Sequence, residues 1–289
     1  MFSLAKVLFP VDFSERCTGA ARFVLALAAR FQSQVTMLHV LPPPHYEFSA
    51  LEVGGAVLNE LFANRAQQVA RELEEYLAAE LGGISVKRVL LEGDPAKMIV
   101  QHAASEGVNL IVMPTHGYGT FRRFILGSVT AKVLHDAGCP VWTGVHLESP
   151  SPEGKVTFDR ILCAVDLGPE SEQALRWASA MAEASGSSLT LMHALPAAPP
   201  PIEAPDAECL KQARVEAESA LRKLAAASGV KADIVVAGGD TPKVVCDTAA
   251  QLRASLLVIG RGSAAGVFGR LRANAYAIIR QSPCPVVSV

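Results

Sequence analysis

The chain has 289 residues, half of them hydrophobic and 19% charged, which suits two domains of about 150 residues and excludes a disordered or collagen-like polymer. There are 26 Lys and Arg against 28 Asp and Glu, a formal charge of -2, so neither nucleic acid nor an anionic membrane is expected as a bulk electrostatic partner. Mean hydropathy is +0.28, yet apolar runs such as Leu110-Ile111-Val112-Met113 are a strand long, far short of the ~20 residues of a membrane span, and no leader pattern opens the chain, which therefore reads as soluble, unexported and cytoplasmic.

The first predicted strand, 6–11, ends on Asp12, and the second, 34–40, ends on His39-Val40. After a long connection, roughly 42–58, the residues Leu58, Leu61, Phe62, Val69, Leu73, Leu77 and Leu81 follow helical spacing and predict one apolar helix face. A third strand is expected at 85–91, a helix after Gly93-Asp94-Pro95, and a fourth strand at 110–113. Then comes Pro114-Thr115-His116-Gly117, nine further residues, and Gly127-Ser128-Val129, where another helix begins. Cys139-Pro140 introduces a short strand at 141–145, and the polar, proline-bearing stretch 148–155 reads as a linker.

The same order then repeats. Lys6-Val7-Leu8-Phe9-Pro10-Val11-Asp12 returns as Arg160-Ile161-Leu162-Cys163-Ala164-Val165-Asp166, and Thr36-Met37-Leu38-His39-Val40 as Thr190-Leu191-Met192-His193-Ala194. Gly93-Asp94-Pro95-Ala96-Lys97 returns as Gly239-Asp240-Thr241-Pro242-Lys243, and Cys139-Pro140-Val141 as Cys284-Pro285-Val286. The chain is an internal duplication, with domains at 1–147 and 156–289. Strands apolar on both faces, alternating with helices, require a parallel sheet covered on both sides, so each domain is a doubly wound α/β fold. Right-handed crossovers place a ligand crevice at the carboxyl ends of the strands, where their order reverses.

Three features line that crevice. A loop that leaves a strand with glycines and enters a helix at Ser128 presents backbone N–H groups and a positive helix end, which suits a phosphate chain. Arg122 and Arg123 lie inside this loop, either screening phosphate or simply solvated. Asp12 can accept from a ribose hydroxyl; Ser14 is the better helix cap, which frees Asp12 for a ligand. His39 and His193 have no nucleophile or carboxylate partner in sequence and read as hydrogen-bonded structural residues. The six cysteines are scattered, with no metal-ligand spacing, and read as buried, inert thiols. Gly260-Arg261-Gly262-Ser263-Ala264-Ala265-Gly266 is one residue too long for a dinucleotide fingerprint and follows the wrong strand, and no P-loop occurs.

Taken together, Val-Asp ending strand one, His-Val ending strand two, Gly-Asp-Pro opening helix three, Thr-His-Gly-x9-Gly-Ser and Cys-Pro-Val resemble the universal stress protein family, in tandem over nearly the whole chain. The resemblance implies five-stranded parallel sheets in the order 3-2-1-4-5, two domains related by a pseudo-two-fold, and ATP held through G-x2-G-x9-G-[ST]. In the first copy those positions are Pro114, Gly117, Gly127 and Ser128; Pro114 lacks an N–H. By the same resemblance Val11 and Asp12 border adenine and ribose, Val40 offers backbone to adenine, and His116 and Val129 belong to the phosphate loop. In the second copy the positions read Gly260, Ser263, Ala273 and Asn274. A Cβ at 273 would crowd a phosphate if that backbone must approach closely or take positive φ, so the second loop reads as degenerate.

The expectation is therefore a stress-response protein that binds ATP or AMP in its first domain, with Mg2+ accompanying a triphosphate. No catalytic residue or metal site is assigned, and activity is at most slow ATP hydrolysis, since no base stands out and His116 reads as loop-ordering. The resemblance also implies an intramolecular pseudo-dimer through the last strands of the two domains; a further homodimer is left open. The alternative is a nucleotide-free interaction module of the same family. An adenylyl-transfer enzyme is disfavoured because no Ser-Gly-Gly-x-Asp-Ser loop follows the first strand.

Overall fold

The computed structural model of the chain describes residues 2–43, 55–115, 126–144, 156–196, 207–261 and 270–289. It divides into two compact units, one built on Ser3–Val141 and the other on Glu153–Val289, with Phe2 and Trp142 to Gly144 also grouped in the latter.

In the first unit, β1 (Lys6–Pro10) leads to α1 (Glu15–Phe31), β2 (Gln34–Leu41), α2 (Gly55–Glu75), β3 (Val86–Glu92), α3 (Pro95–Ser105), β4 (Leu110–Val112) and α4 (Ser128–Asp136), after which the chain runs into β5 (Val141–Thr143). β1 pairs in parallel with β2 on one side and β4 on the other, and β2 pairs with β3. The chain returns beside β4 at Pro140, whose carbonyl accepts from Ile111 N–H at 3.0 Å. The second unit repeats this with β6 (Arg160–Ala164), α5 (Ser171–Ser185), β7 (Ser188–Pro196), α6 (Ala207–Ala227), β8 (Asp233–Gly239), α7 (Thr241–Gln251), β9 (Leu256–Ile259), α8 (Arg270–Gln281) and β10 (Val286–Ser288). Its strands lie in the order β8-β7-β6-β9-β10, every pair parallel. The doubly wound α/β fold is as the sequence predicts.

Burial explains why the central strands carry no polar alternation. Leu8 and Phe9 are both fully buried although they point to opposite faces of β1, as are Leu162 and Cys163 of β6, so helices cover both faces. β3 and β8 sit at the outer ends and are half-exposed along much of their length. No helix among the described residues is long and apolar enough to cross a membrane.

The long helix departs from its prediction. α2 ends at Glu75, and Leu77 takes φ 53°. Arg88 of β3 reaches the helix end, its Nε donating to Leu73 O at 2.8 Å and Nη2 to Tyr76 O at 3.3 Å. These bonds satisfy carbonyls that a terminating helix leaves unpaired. Leu77 and Leu81 are still buried, but from the turns beyond the helix, while Leu61 is 41% exposed and lies off the apolar face; the side chain of Leu58 lies outside the described residues.

The turn into α3 shows why glycine recurs before its cap. Gly93 and Gly239 both take φ 142°, and a Cβ would stand 2.9 Å from Met98 Cγ at the first and 2.8 Å from Val244 Cγ2 at the second. The residue that follows caps the helix: Asp94 accepts from Lys97 N–H at 2.9 Å and Asp240 from Lys243 N–H at 3.3 Å.

Candidate functional site

In the first unit β1 has β2 on one side and β4 on the other, so the crevice opens at the carboxyl ends of β1 and β4. Asp12 stands at the end of β1, half-buried, but it is not wholly freed by Ser14. Its Oδ1 accepts from Ser14 N–H at 3.1 Å and from the Cys17 thiol at 3.2 Å, whereas Ser14 makes no side-chain cap bond. The short carboxylate folds back onto an amide two residues on, and the Cys17 amide that a Ser14 cap would use donates instead to Ser14 O at 3.0 Å. Oδ2 keeps no hydrogen bond among the described residues. The turn is strained: Phe13 takes φ 62°, a conformation disfavoured for a bulky side chain. Its ring packs against His39 at 4.5 Å and Tyr76 at 5.0 Å between centroids, and Tyr76 Oη donates to Ser14 O at 3.0 Å.

His39 Nδ1 donates to Val11 O at 2.8 Å. Burial lowers its pKa, against the raising influence of that carbonyl and of Asp12 and Glu72, so it is a neutral brace between β1 and β2. Val11 and Val40 are buried beside it.

The chain leaves β4 through Pro114 and Thr115, both buried. His116 and Gly117, with Arg122 and Arg123, lie outside the described residues. At the far side of the loop Gly127 has φ -59° and ψ 144°, open to any residue, so positive φ is not what glycine supplies here. Its amide is also already engaged, donating to Thr115 O at 2.8 Å. Ala131 N–H donates to Gly127 O at 2.8 Å as the first helical bond of α4. The amides of Ser128, Val129 and Thr130 therefore have no acceptor within the helix and none among the described residues. Thr130 Oγ1 donates to Pro114 O at 3.1 Å and fixes the start of α4 against the end of β4. Ser128 is exposed and Val129 half-buried. The usable donors thus sit one residue beyond where the glycine pattern points; Tyr76 and Thr130 went unread because they lack a motif, and Thr115 was read only as part of the loop pattern.

The second unit holds a cavity of about 390 Å³ at the carboxyl ends of β6, β7 and β9. Asp166 lies at its rim, with Oδ1 accepting from Gly168 N–H at 2.9 Å and Ser171 Oγ at 3.0 Å, and Leu167 repeats the strained φ of 62°. His193 Nδ1 donates to Val165 O at 2.9 Å. The helix differs. α8 starts at Arg270, a full turn earlier in the repeat than α4, because Ala273 favours helix where Gly127 does not. Amides from Asn274 onward are then spent on carbonyls of the preceding turn.

A model of the universal stress protein family matches residues 4–143 and 157–289. The chain belongs to the universal stress protein family. Among curated relatives, universal stress protein MJ0531 of Methanocaldococcus jannaschii is 30% identical over 47% of this chain and 79% of its own length. Universal stress protein MJ0577 of the same organism is 32% identical over 47% of this chain and 91% of its own. Each therefore corresponds to about one unit. A universal stress protein from Archaeoglobus fulgidus shares the fold over 99% of this chain and 96% of its own, with TM-score 0.68 and 22% identity.

Within this universal stress protein the cysteines do no site chemistry that the geometry supports. Burial pushes the Cys17 thiol up to about 12, with the Asp12 carboxylate adding to the effect, and burial alone pushes Cys163 to about 12. Cys246 and Cys284 are raised to about 11, again chiefly by burial. Cys209 is exposed and Cys139 half-buried, which corrects the expectation that all six lie inside.

Proposed function

We propose that the first unit binds an adenine nucleotide, ATP or AMP, in a stress-response role without efficient catalysis. The observation that carries this reading is the run of three amides, Ser128 to Thr130, without acceptors at the start of α4, beside the Asp12 carboxylate. Such a run binds an anion by direct hydrogen bonds and by the helix field. Asp12 Oδ2 would accept from a ribose hydroxyl, and Val11 and Val40 give apolar contact for the base that the family resemblance supplies. No cluster of three or more potential metal-ligating side chains occurs among the described residues, so Mg2+ accompanying ATP would be held by phosphate and water. That ion would neutralise phosphate charge.

A second reading, a nucleotide-free interaction module, draws on two facts: Pro114 has no amide to give, and that of Gly127 is bonded to Thr115. Thermal unfolding of the full chain with Mg-ATP, AMP or neither separates the two. A ligand at 100 times its Kd stabilises by about 2.7 kcal/mol. The shift should vanish in Ser128→Asp, whose carboxylate favours the helix start but repels phosphate. No shift at millimolar ligand in the wild type would overturn the nucleotide reading and favour the second.

A further inference from the structure

The cavity of the second unit differs in charge and donors from the crevice of the first. Its described lining includes two carboxylates, Asp166 and Glu170, and no Lys or Arg. Glu170 makes no cap bond with its side chain. Arg261, next to the lining residue Gly260, is turned to the chain end, its N–H donating to Val289 O at 3.1 Å and Nη2 to Ser288 O at 3.4 Å. The stretch 262–269 carries no charged residue. Because α8 begins a turn early, the amides that could grip a phosphate in the first unit have helical partners in the second.

What remains is a site of acceptors over an apolar floor. His193 gives Nδ1–H to Val165 O, which leaves Nε2 to meet a ligand hydroxyl, and Asp166 adds a carboxylate. Asn274 contributes an amide, and Val165, Val245, Ile259 and Ile278 supply apolar surface. A cavity of this volume lies in the range of small-molecule sites. Gly260 leaves open space on its Cβ side, with no atom of the described residues within 4 Å.

We infer that the second unit is an independent site for an uncharged, hydroxyl-bearing ligand of nucleoside size, and that it rejects the phosphorylated form. Hydroxyl and amino hydrogens of the ligand meet Asp166 and His193, its flat apolar part lies over the Val and Ile side chains, and a phosphate dianion would face the carboxylates of Asp166 and Glu170 with no Lys or Arg among the described lining. The inference stands apart from the nucleotide reading of the first unit.

The test is calorimetric titration of the full chain carrying Ser128→Pro, which removes an amide of the first crevice, with adenosine and AMP as probes. Adenosine should bind, and AMP should bind to the second unit at least tenfold more weakly. Adding Gly260→Leu, whose side chain enters open space, should remove one equivalent of bound adenosine. Asp166→Asn, which keeps an oxygen for the Gly168 amide, should weaken adenosine severalfold while circular dichroism stays unchanged. Equal affinity for AMP overturns the inference. So does adenosine stoichiometry unaltered by Gly260→Leu, or no adenosine binding at millimolar concentration. Failure of wild-type ATP binding would refute the first-unit reading and leave these outcomes legible.

Discussion

The amide of Gly127 donates to the carbonyl of Thr115 at 2.8 Å, closing the ends of the loop between β4 and α4. The bond takes the glycine amide away from any ligand, and in the reading proposed above anion recognition falls to the next three residues. Ser128→Pro is the sharp probe of this arrangement. Proline is tolerated at the first helical position, and Gly127 at φ -59° and ψ 144° already has the extended backbone that precedes proline. The helix should persist while nucleotide affinity falls about tenfold, the worth of one charge-assisted hydrogen bond of about 1.5 kcal/mol. Ser128→Ala, which keeps the amide, should bind nearly as wild type. If calorimetry finds the opposite order, the hydroxyl and not the main chain holds the ligand.

Phe13 and Leu167 occupy the same left-handed conformation, φ 62°, but with different compensation. The Phe13 ring packs tilted against His39 and edge-to-face against Tyr76, an aromatic contact that a leucine at 167 does not offer. Asparagine relieves left-handed strain. Leu167→Asn should therefore be neutral or stabilising by up to about 1 kcal/mol, and Phe13→Asn should cost about 1–2 kcal/mol in lost aromatic packing. Urea unfolding of both variants checks the pair; a costly Leu167→Asn would show that the strain is offset by packing of the leucine itself.

The two glycines before the third helix of each repeat should respond unequally to alanine. Both carry φ 142°, but the Cβ at 93 meets the flexible Met98 side chain and that at 239 meets Val244 Cγ2, which is stiff on its helix. Gly239→Ala should destabilise by about 1–3 kcal/mol and Gly93→Ala by less. Thermal melts that rank them the other way would mean the methionine cannot move.

His39 predicts a pH dependence. Its pKa is lowered in the folded protein, first by burial, and that of His102 is lowered for the same reason. Below the ordinary histidine value of about 6.5 the unfolded chain takes up protons that the folded chain does not. Stability should thus fall as pH drops from 6.5 toward the lowered folded values, and be flat in these two groups above 6.5. Unfolding free energies measured between pH 5 and 7 should lose part of this slope in His39→Asn, whose amide can still donate to Val11 O. An unchanged slope would place the proton uptake elsewhere.

Much of the fold was legible because the strands are buried on both faces and the repeat fixes their order twice. The Gly93 and Asp94 turn was equally legible, since glycine and a capping carboxylate leave a local signature. The site was less so. Ser14 looked like the cap that frees Asp12, but Asp12 itself accepts from the Ser14 amide and the Cys17 amide goes to the Ser14 carbonyl, a choice of acceptor that the residue types alone do not dictate. The end of α2 misled for a different reason: Leu77 and Leu81 keep helical spacing, yet Arg88, from a strand distant in sequence, stabilises an earlier stop.

The duplication, the doubly wound class and the position of the crevice were determined by sequence alone, because hydrophobic periodicity and chain order suffice to dictate them. Which amides face that crevice was decided only by tertiary structure. A helix that begins one turn sooner consumes the same donors internally, and where it begins depends on the competition between helix propensity at Ala273 or Gly127 and the closure of the preceding loop, as the Thr115 carbonyl closes it in the first unit.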